Sequence, residues 1–138
     1  MKIFVDTNVL ASSLATRGLC NEVFEAVINE HELLVCEQVL QELESVLTAK
    51  FRLPDAVVKD FVVLLRAECT LVPFSERRPI SIKDQDDIAI LSCAITGKAD
   101  VFVTGDKELL DLSRIGRLTI LSPRQLWLQL SGLQGPGR

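Results

Sequence analysis

Short apolar runs alternate along this chain with longer segments whose apolar residues recur at helical spacing. Lys2-Ile3-Phe4-Val5 reads as a buried strand and residues 8–15 as a short helical segment. From Asn21 to Glu30 a helix is expected. Leu19, Cys20, Val23, Phe24, Val27 and Ile28 form its inner stripe, and Glu22, Glu25, Asn29 and Glu30 lie opposite. Leu33-Leu34-Val35-Cys36 is the second strand, and a helix follows from about Glu37 to Ala49 with Val39, Leu40, Leu43, Val46 and Leu47 inward. Pro54 takes a first-turn position of the next helix, whose expected buried face is Val57, Val58, Phe61, Val62 and Leu65. Cys69 to Val72 reads as a short strand and 73–83, with two prolines, as loop.

The second half repeats the alternation. Asp86 to Thr96 is a helix ended by Gly97, Val101 to Val103 a strand, 107–112 a short helix and Leu118 to Leu121 a last strand. Ser122-Pro123-Arg124-Gln125 has the form of a capping box with proline at the first helical position, followed by Trp127, Leu128 and Leu130. Residues 131–138 are rich in Gly, Pro and Ser and read as a disordered tail. Strands alternating with helices give an α/β domain with a mainly parallel sheet. The 138 residues suit one domain, over 1–130, and the 48% hydrophobic content is enough for a real core.

Net charge is −4, so no global basic field draws in a polyanion, and any hold on nucleic acid must be local or metal-mediated. Cys20, Cys36, Cys69 and Cys93 form no C-x-x-C pair and read as reduced, mostly buried small apolar residues. The chain opens directly on a strand rather than a leader, and no apolar run approaches the roughly 20 residues of a membrane span. A cytoplasmic protein is the expectation. His31, the single histidine, falls at a helix–strand junction and is expected to be exposed, which leaves histidine acid–base chemistry without support.

The chemistry lies in four acids. Asp6 ends the first strand in V-D-T-N, and Asp106 follows the strand Val101–Val103 in V-T-G-D. In a parallel sheet, ligands bind beyond the carboxyl ends of the strands. At about 100° per residue, Glu42 sits on the border of its helix's buried arc. Asp87 sits inside the arc of Ile88, Leu91, Ala94 and Ile95, with Asp86 at its edge and Asp84 as the cap. Each acid also has a structural role open to it: caps for Asp6 and Asp106, a solvated rim for Glu42, a buried acid bonded to loop amides for Asp87. Together they repel, so their pKa values rise or cations bind between them. Hard oxygen ligands select Mg²⁺ or Mn²⁺, ions that activate water and stabilise the leaving oxygen in phosphodiester hydrolysis. Asn8, Thr7 and Thr104 offer further oxygens, and Gly105 offers an unusual backbone angle or close approach. Candidate phosphate contacts are Arg17, Lys50, Arg52, Lys83 and Lys107, each also readable as surface charge.

The order and spacing of V-D-T-N at 5–8, E-Q-V-L-Q-E-L at 37–43, K-D-Q-D-D-I-A-I-L-S-C-A-I at 83–95 and A-D-V-F-V-T-G-D-K-E-L-L at 99–110 resemble the PIN-domain nucleases over roughly residues 1–127. The resemblance implies a Rossmann-like three-layer α/β/α sandwich. It implies an acidic metal site at Asp6, Glu42, Asp87 and Asp106, with Asn8 and Thr104 as supporting polar positions. It further implies Mg²⁺- or Mn²⁺-dependent cleavage of single-stranded RNA by the toxin of a toxin–antitoxin pair, neutralised by a small protein partner. Apolar residues on 54–67 and around Trp127 bear on a homodimer, unless the core takes them. Two other readings compete. One is a non-catalytic protein-binding module on the same fold. The other is an aspartyl-phosphate phosphatase with Asp6 as nucleophile, which wants a second acid where this chain has Asn8.

Overall fold

The computed structural model describes residues 1–73 and 75–132. Its elements run β1 (Lys2–Val5), α1 (Thr7–Ala15), α2 (Leu19–Glu30), β2 (Glu32–Val35), α3 (Glu37–Ser45), a π-helical turn (Val46–Lys50), α4 (Asp55–Glu68) and β3 (Thr70–Leu71). There follow α5 (Gln85–Thr96), β4 (Val101–Val103), α6 (Lys107–Leu112), β5 (Arg114–Ile115), β6 (Leu118–Leu121) and α7 (Pro123–Leu130).

The six strands form one sheet in the order β3-β2-β1-β4-β6-β5, parallel except where β5 pairs antiparallel with β6. Central strands of such a sheet are covered on both faces and need no alternation of polar and apolar residues. Accordingly Ile3, Phe4 and Val5 of β1 and Val101, Phe102 and Val103 of β4 are all buried. Phe4 and Phe102 are register partners, and their rings stack at 5.6 Å with an interplanar angle of 12°. The chain moves outward one way from β1 through β2 to β3, then crosses back to β4 and continues the other way. Right-handed crossovers set α1 to α4 on one face, where α1 packs on α2 and α3 and α3 on α4, and α5 and α6 on the other. This is a three-layer α/β/α sandwich. The order reverses between β1 and β4, the kind of place where an open α/β sheet leaves a crevice at its carboxyl edge.

Several expectations are corrected. Val57 is 41% exposed, so the buried face of α4 is Val58, Phe61, Val62 and Leu65 alone. Pro54 is the N-cap of α4 rather than a residue of its first turn. The helix read to Ala49 changes to π-helical spacing at Val46, and Leu47 stays fully buried. Strand β5 was not foreseen: at two residues it has no periodicity to read, and Gly116, with φ of +58°, supplies the tight return to β6. His31 is half-buried, its Nδ1 3.2 Å from the Met1 amino group. Of the expected tail, Ser131 and Gly132 form a turn, and 133–138 lie outside the described residues.

Gly97 ends α5 for a reason other than a left-handed angle. Its φ is −75°, and Lys98 takes the positive φ of +58° instead. A Cβ on Gly97 would meet Val72 Cγ2 at 2.8 Å and Leu34 Cδ1 at 3.2 Å. Gly105 has neither constraint: its φ is not positive and a Cβ there meets nothing within 4 Å, which corrects the expectation of an unusual backbone angle or close approach. Gly97→Ala is therefore expected to destabilise the fold by about 1–3 kcal/mol through overpacking. Gly105→Ala is expected to leave stability within about 0.5 kcal/mol. Urea unfolding followed by circular dichroism measures both, and equal effects would contradict the assignment.

Candidate active site

Asp6 leaves the end of β1 in extended backbone and caps α1, its Oδ1 accepting from the Thr7 amide at 2.7 Å. Its other oxygen, Oδ2, accepts from the Thr104 hydroxyl at 2.8 Å. Thr104 is fully buried beyond β4, and its Oγ1 also accepts from the Asp106 amide at 3.0 Å. One hydroxyl thus ties the ends of the two strands that flank the reversal point. Asp106 caps α6 through Oδ1, which accepts from the amides of Glu108 and Leu109.

The helices bring the remaining acids. Glu42, half-buried on α3, accepts from the Thr7 hydroxyl at 2.9 Å and from Gln38 Nε2 at 3.0 Å. Gln38 also reaches the Asp86 carbonyl at 3.4 Å, so it bridges α3 and α5. Asp84 caps α5 by accepting from the amides of Asp86 and Asp87. That cap fixes the first turn of α5, from which Asp87 lines the cleft.

All four expected acids, Asp6, Glu42, Asp87 and Asp106, line a single cleft of about 790 Å³. Asn8 lines it as well, while Thr104 lies beneath, holding Asp6. Asp84 and Asp86, read from the sequence as a cap and an edge position, line the same cleft and bring its carboxylates to six. Of the candidate phosphate contacts only Lys50 lies on the cleft wall; Arg17, Arg52, Lys83 and Lys107 are not among its lining residues. Gln38 was missed, although its place four residues before Glu42 on one helix face is a signal the sequence carries.

The electrostatics follow from crowding. Burial raises the pKa of Asp6, and Glu42 and Asp106 add repulsion; the Thr104 hydroxyl and the Thr7 amide oppose the rise. Asp87 is pushed up to about 7 by burial first, then by Asp84, Asp6, Asp106 and Glu42. Among the described residues no hydrogen-bond donor lowers that value. A hard divalent cation fits this donor set, which is all oxygen, negatively charged and short of compensating cations. The fit needs adjustment, because among the described residues no three Asp, Glu, His or Cys side chains converge tightly enough to grip an ion as they stand.

The family model of the PIN domain matches residues 2–108, from β1 into the start of α6. The chain belongs to the PIN-domain family. The match spans all four acids, so this PIN domain carries its carboxylates within the segment that defines the family. A solved structure with the same fold is VapBC2 from Rickettsia felis bound to a DNA fragment from its promoter. It has a TM-score of 0.64 and 17% identity, covering 88% of this chain and 98% of that one. At that identity the likeness is one of fold. No curated protein matches the chain. No helix among the described residues is long and apolar enough to cross a membrane.

The raised pKa of Asp87 has a definite sign in stability. The native state holds a proton on Asp87 up to about 7, whereas the unfolded chain releases it near 3.8. Without divalent cation, stability therefore falls as pH rises through that window. Asp87→Asn is expected to stabilise EDTA-treated protein at pH 8 by about 1–2 kcal/mol after allowing for solvent screening, and so to raise its melting temperature. At pH 4 it is expected to change little. Calorimetric scans at the two pH values check this, and an equal effect at both would contradict it.

Proposed function

We propose that this PIN domain is a metal-dependent endoribonuclease that hydrolyses phosphodiester bonds of single-stranded RNA. The observation that carries the reading is the confluence of Asp6, Glu42, Asp87 and Asp106 in one cleft at the reversal point of the sheet. Those four residues would hold Mg²⁺ or Mn²⁺. The bound ion would supply Lewis-acid stabilisation of phosphate charge and a more acidic water.

The chain's own residues do the rest. Asp6 forms the floor, 9% exposed and pinned on both oxygens, so its position is set before substrate arrives. Thr7 and Gln38 fix both oxygens of Glu42. Lys50 on the wall supplies a cation for a substrate phosphate, and Asn8 and Ser12 supply polar contacts to the sugar–phosphate chain. A flexible single strand reaches a buried floor more readily than a stiff duplex does. The preference for RNA over DNA rests on the family. Aromatic residues make up 5% of the chain, which favours weak base discrimination.

We further read the protein as the toxin of a toxin–antitoxin pair held by a small protein antitoxin, on the strength of its family and its likeness in fold to VapBC2. Val57, Val63 and Leu64 stay exposed on α4 and support self-association into a homodimer. One observation favours a second reading, a non-catalytic protein-binding module: the acids do not close on an ion without adjustment. Calorimetry with Mn²⁺ separates the two, since the binding module would take up none.

The nuclease reading expects Mn²⁺-stimulated cleavage of an unstructured RNA, abolished by EDTA and reduced at least about 100-fold in Asp6→Asn. Cleavage that survives EDTA would refute it. Thr104→Val keeps the shape of the residue and removes the hydroxyl that holds Asp6 Oδ2. It is expected to weaken Mn²⁺ binding roughly 10–100-fold, as loss of a ligand-orienting partner does. Unchanged Mn²⁺ affinity in a folded Thr104→Val protein would show that the hydroxyl does not orient the site.

A further inference from the structure

Outside the acidic cleft, two of the four free cysteines share a groove. Cys36 stands at the N-cap of α3 and Cys93 in the last two turns of α5, near enough for each thiol to shift the other's ionisation. They are 3% and 7% exposed, yet both line a groove of about 590 Å³ together with Gln38, Val72, Ser75 and Ala89, large enough to admit a small oxidant. The established features of the fold make no use of this pair.

We propose that Cys36 and Cys93 form a peroxide-responsive dithiol whose closure to a disulfide weakens cation binding in the acidic cleft. The second half of this statement rests on the metal-dependent reading above; the first does not. Ionisation favours the reaction. The two ionisations are coupled: interaction with the Cys36 thiol lowers Cys93 to about 7, against the opposing effect of burial and with help from the Ser75 amide. Cys36 is pushed well up by the same interaction and by burial. The thiolate is the nucleophile toward peroxide.

The oxidant is hydrogen peroxide, and the steps balance. The Cys93 thiolate attacks one peroxide oxygen, the O–O bond breaks and hydroxide leaves, giving a sulfenic acid. The Cys36 sulfur then attacks the Cys93 sulfur, the S–O bond breaks, and the hydroxyl departs with the thiol proton as water. Two thiols lose two electrons, and one peroxide becomes two waters.

Coupling to the cleft follows from the helices. Cys36 and Glu42 are six residues apart on α3, and Asp87 and Cys93 are six apart on α5. A disulfide bond of about 2.05 Å is shorter than any non-bonded contact between two sulfurs, so closure draws the start of α3 toward α5. Gln38 lies between, donating to Glu42 at 3.0 Å and to the Asp86 carbonyl at 3.4 Å. A shift there loosens the hold on one Glu42 oxygen.

The test treats the full chain with hydrogen peroxide, alkylates free thiols under denaturing conditions and maps peptides by mass spectrometry. The expected product is a Cys36–Cys93 linkage, lighter by two hydrogens and reversed by dithiothreitol, with Cys20 and Cys69 still alkylated. Linkage through Cys20 or Cys69, or sulfinic acid at Cys93 without a disulfide, would overturn the dithiol. Mn²⁺ calorimetry on the reduced and cross-linked forms is expected to show about tenfold weaker binding after oxidation, a difference absent in Cys36→Ser. Equal affinities in a fully cross-linked sample would overturn the coupling alone. No binding to the reduced form would overturn the metal-site reading and with it the coupling, while the mapped disulfide would stand.

Discussion

Like charges forced together at one edge of a sheet are the constraint around which this molecule is arranged. Two carboxylates about 5 Å apart repel by roughly 3 kcal/mol at the effective dielectric of a protein. Here six carboxylates line one cleft. The fold tolerates them by distributing neutral donors rather than cations. The Thr7 amide and the Thr104 hydroxyl hold Asp6, the Thr7 hydroxyl and Gln38 hold Glu42, and the amides at the start of α6 hold Asp106. Asp87 has no such donor among the described residues and is the group whose pKa moves furthest among these acids, to about 7. Charge that the protein leaves uncompensated is charge a divalent cation can bind.

The neutral donors depend on the sheet. Parallel pairing of β1 with β4 sets the ends of both strands level, so that Thr104 reaches Asp6 across the reversal of strand order. The stacked Phe4 and Phe102 rings, buried two residues before those ends, keep the two strands from sliding. On either side, α3 and α5 carry Glu42 and Asp87 in, and Gln38 ties the two helices together. Cys36 and Cys93, from the start of α3 and the later turns of α5, line a second groove beside the same two helices. The acidic cleft and the cysteine groove are thus joined by two short helical arms and one side-chain amide.

Much of this was legible in the chain. Continuous apolar runs marked the covered strands, and helical stripes marked which side of each helix faces inward. That reading put Asp87 on the inner side of α5 and Glu42 on the border of α3, where they stand. It failed where periodicity was too short or too permissive. Two-residue β5 has no period, and Val57 satisfies the stripe of α4 while standing 41% exposed. Gly97 looked like a left-handed helix stop. Its real constraint is the closeness of Val72 and Leu34, which only the packed sheet brings near.

The sequence by itself determined the α/β class and the capping box of α7, and it put four acids at strand ends and on the inner or border faces of helices, because strand ends, helix faces and capping residues are local properties written at fixed spacing. Tertiary structure alone decided that those acids share one cleft with Asp84 and Asp86, that Thr104 bonds to Asp6 across 98 positions of chain, and that Cys36 and Cys93 line one groove. Such contacts follow from strand order, and no local pattern specifies which strand lies beside which. Parallel pairing across the reversal point supplies that information, and with it the site.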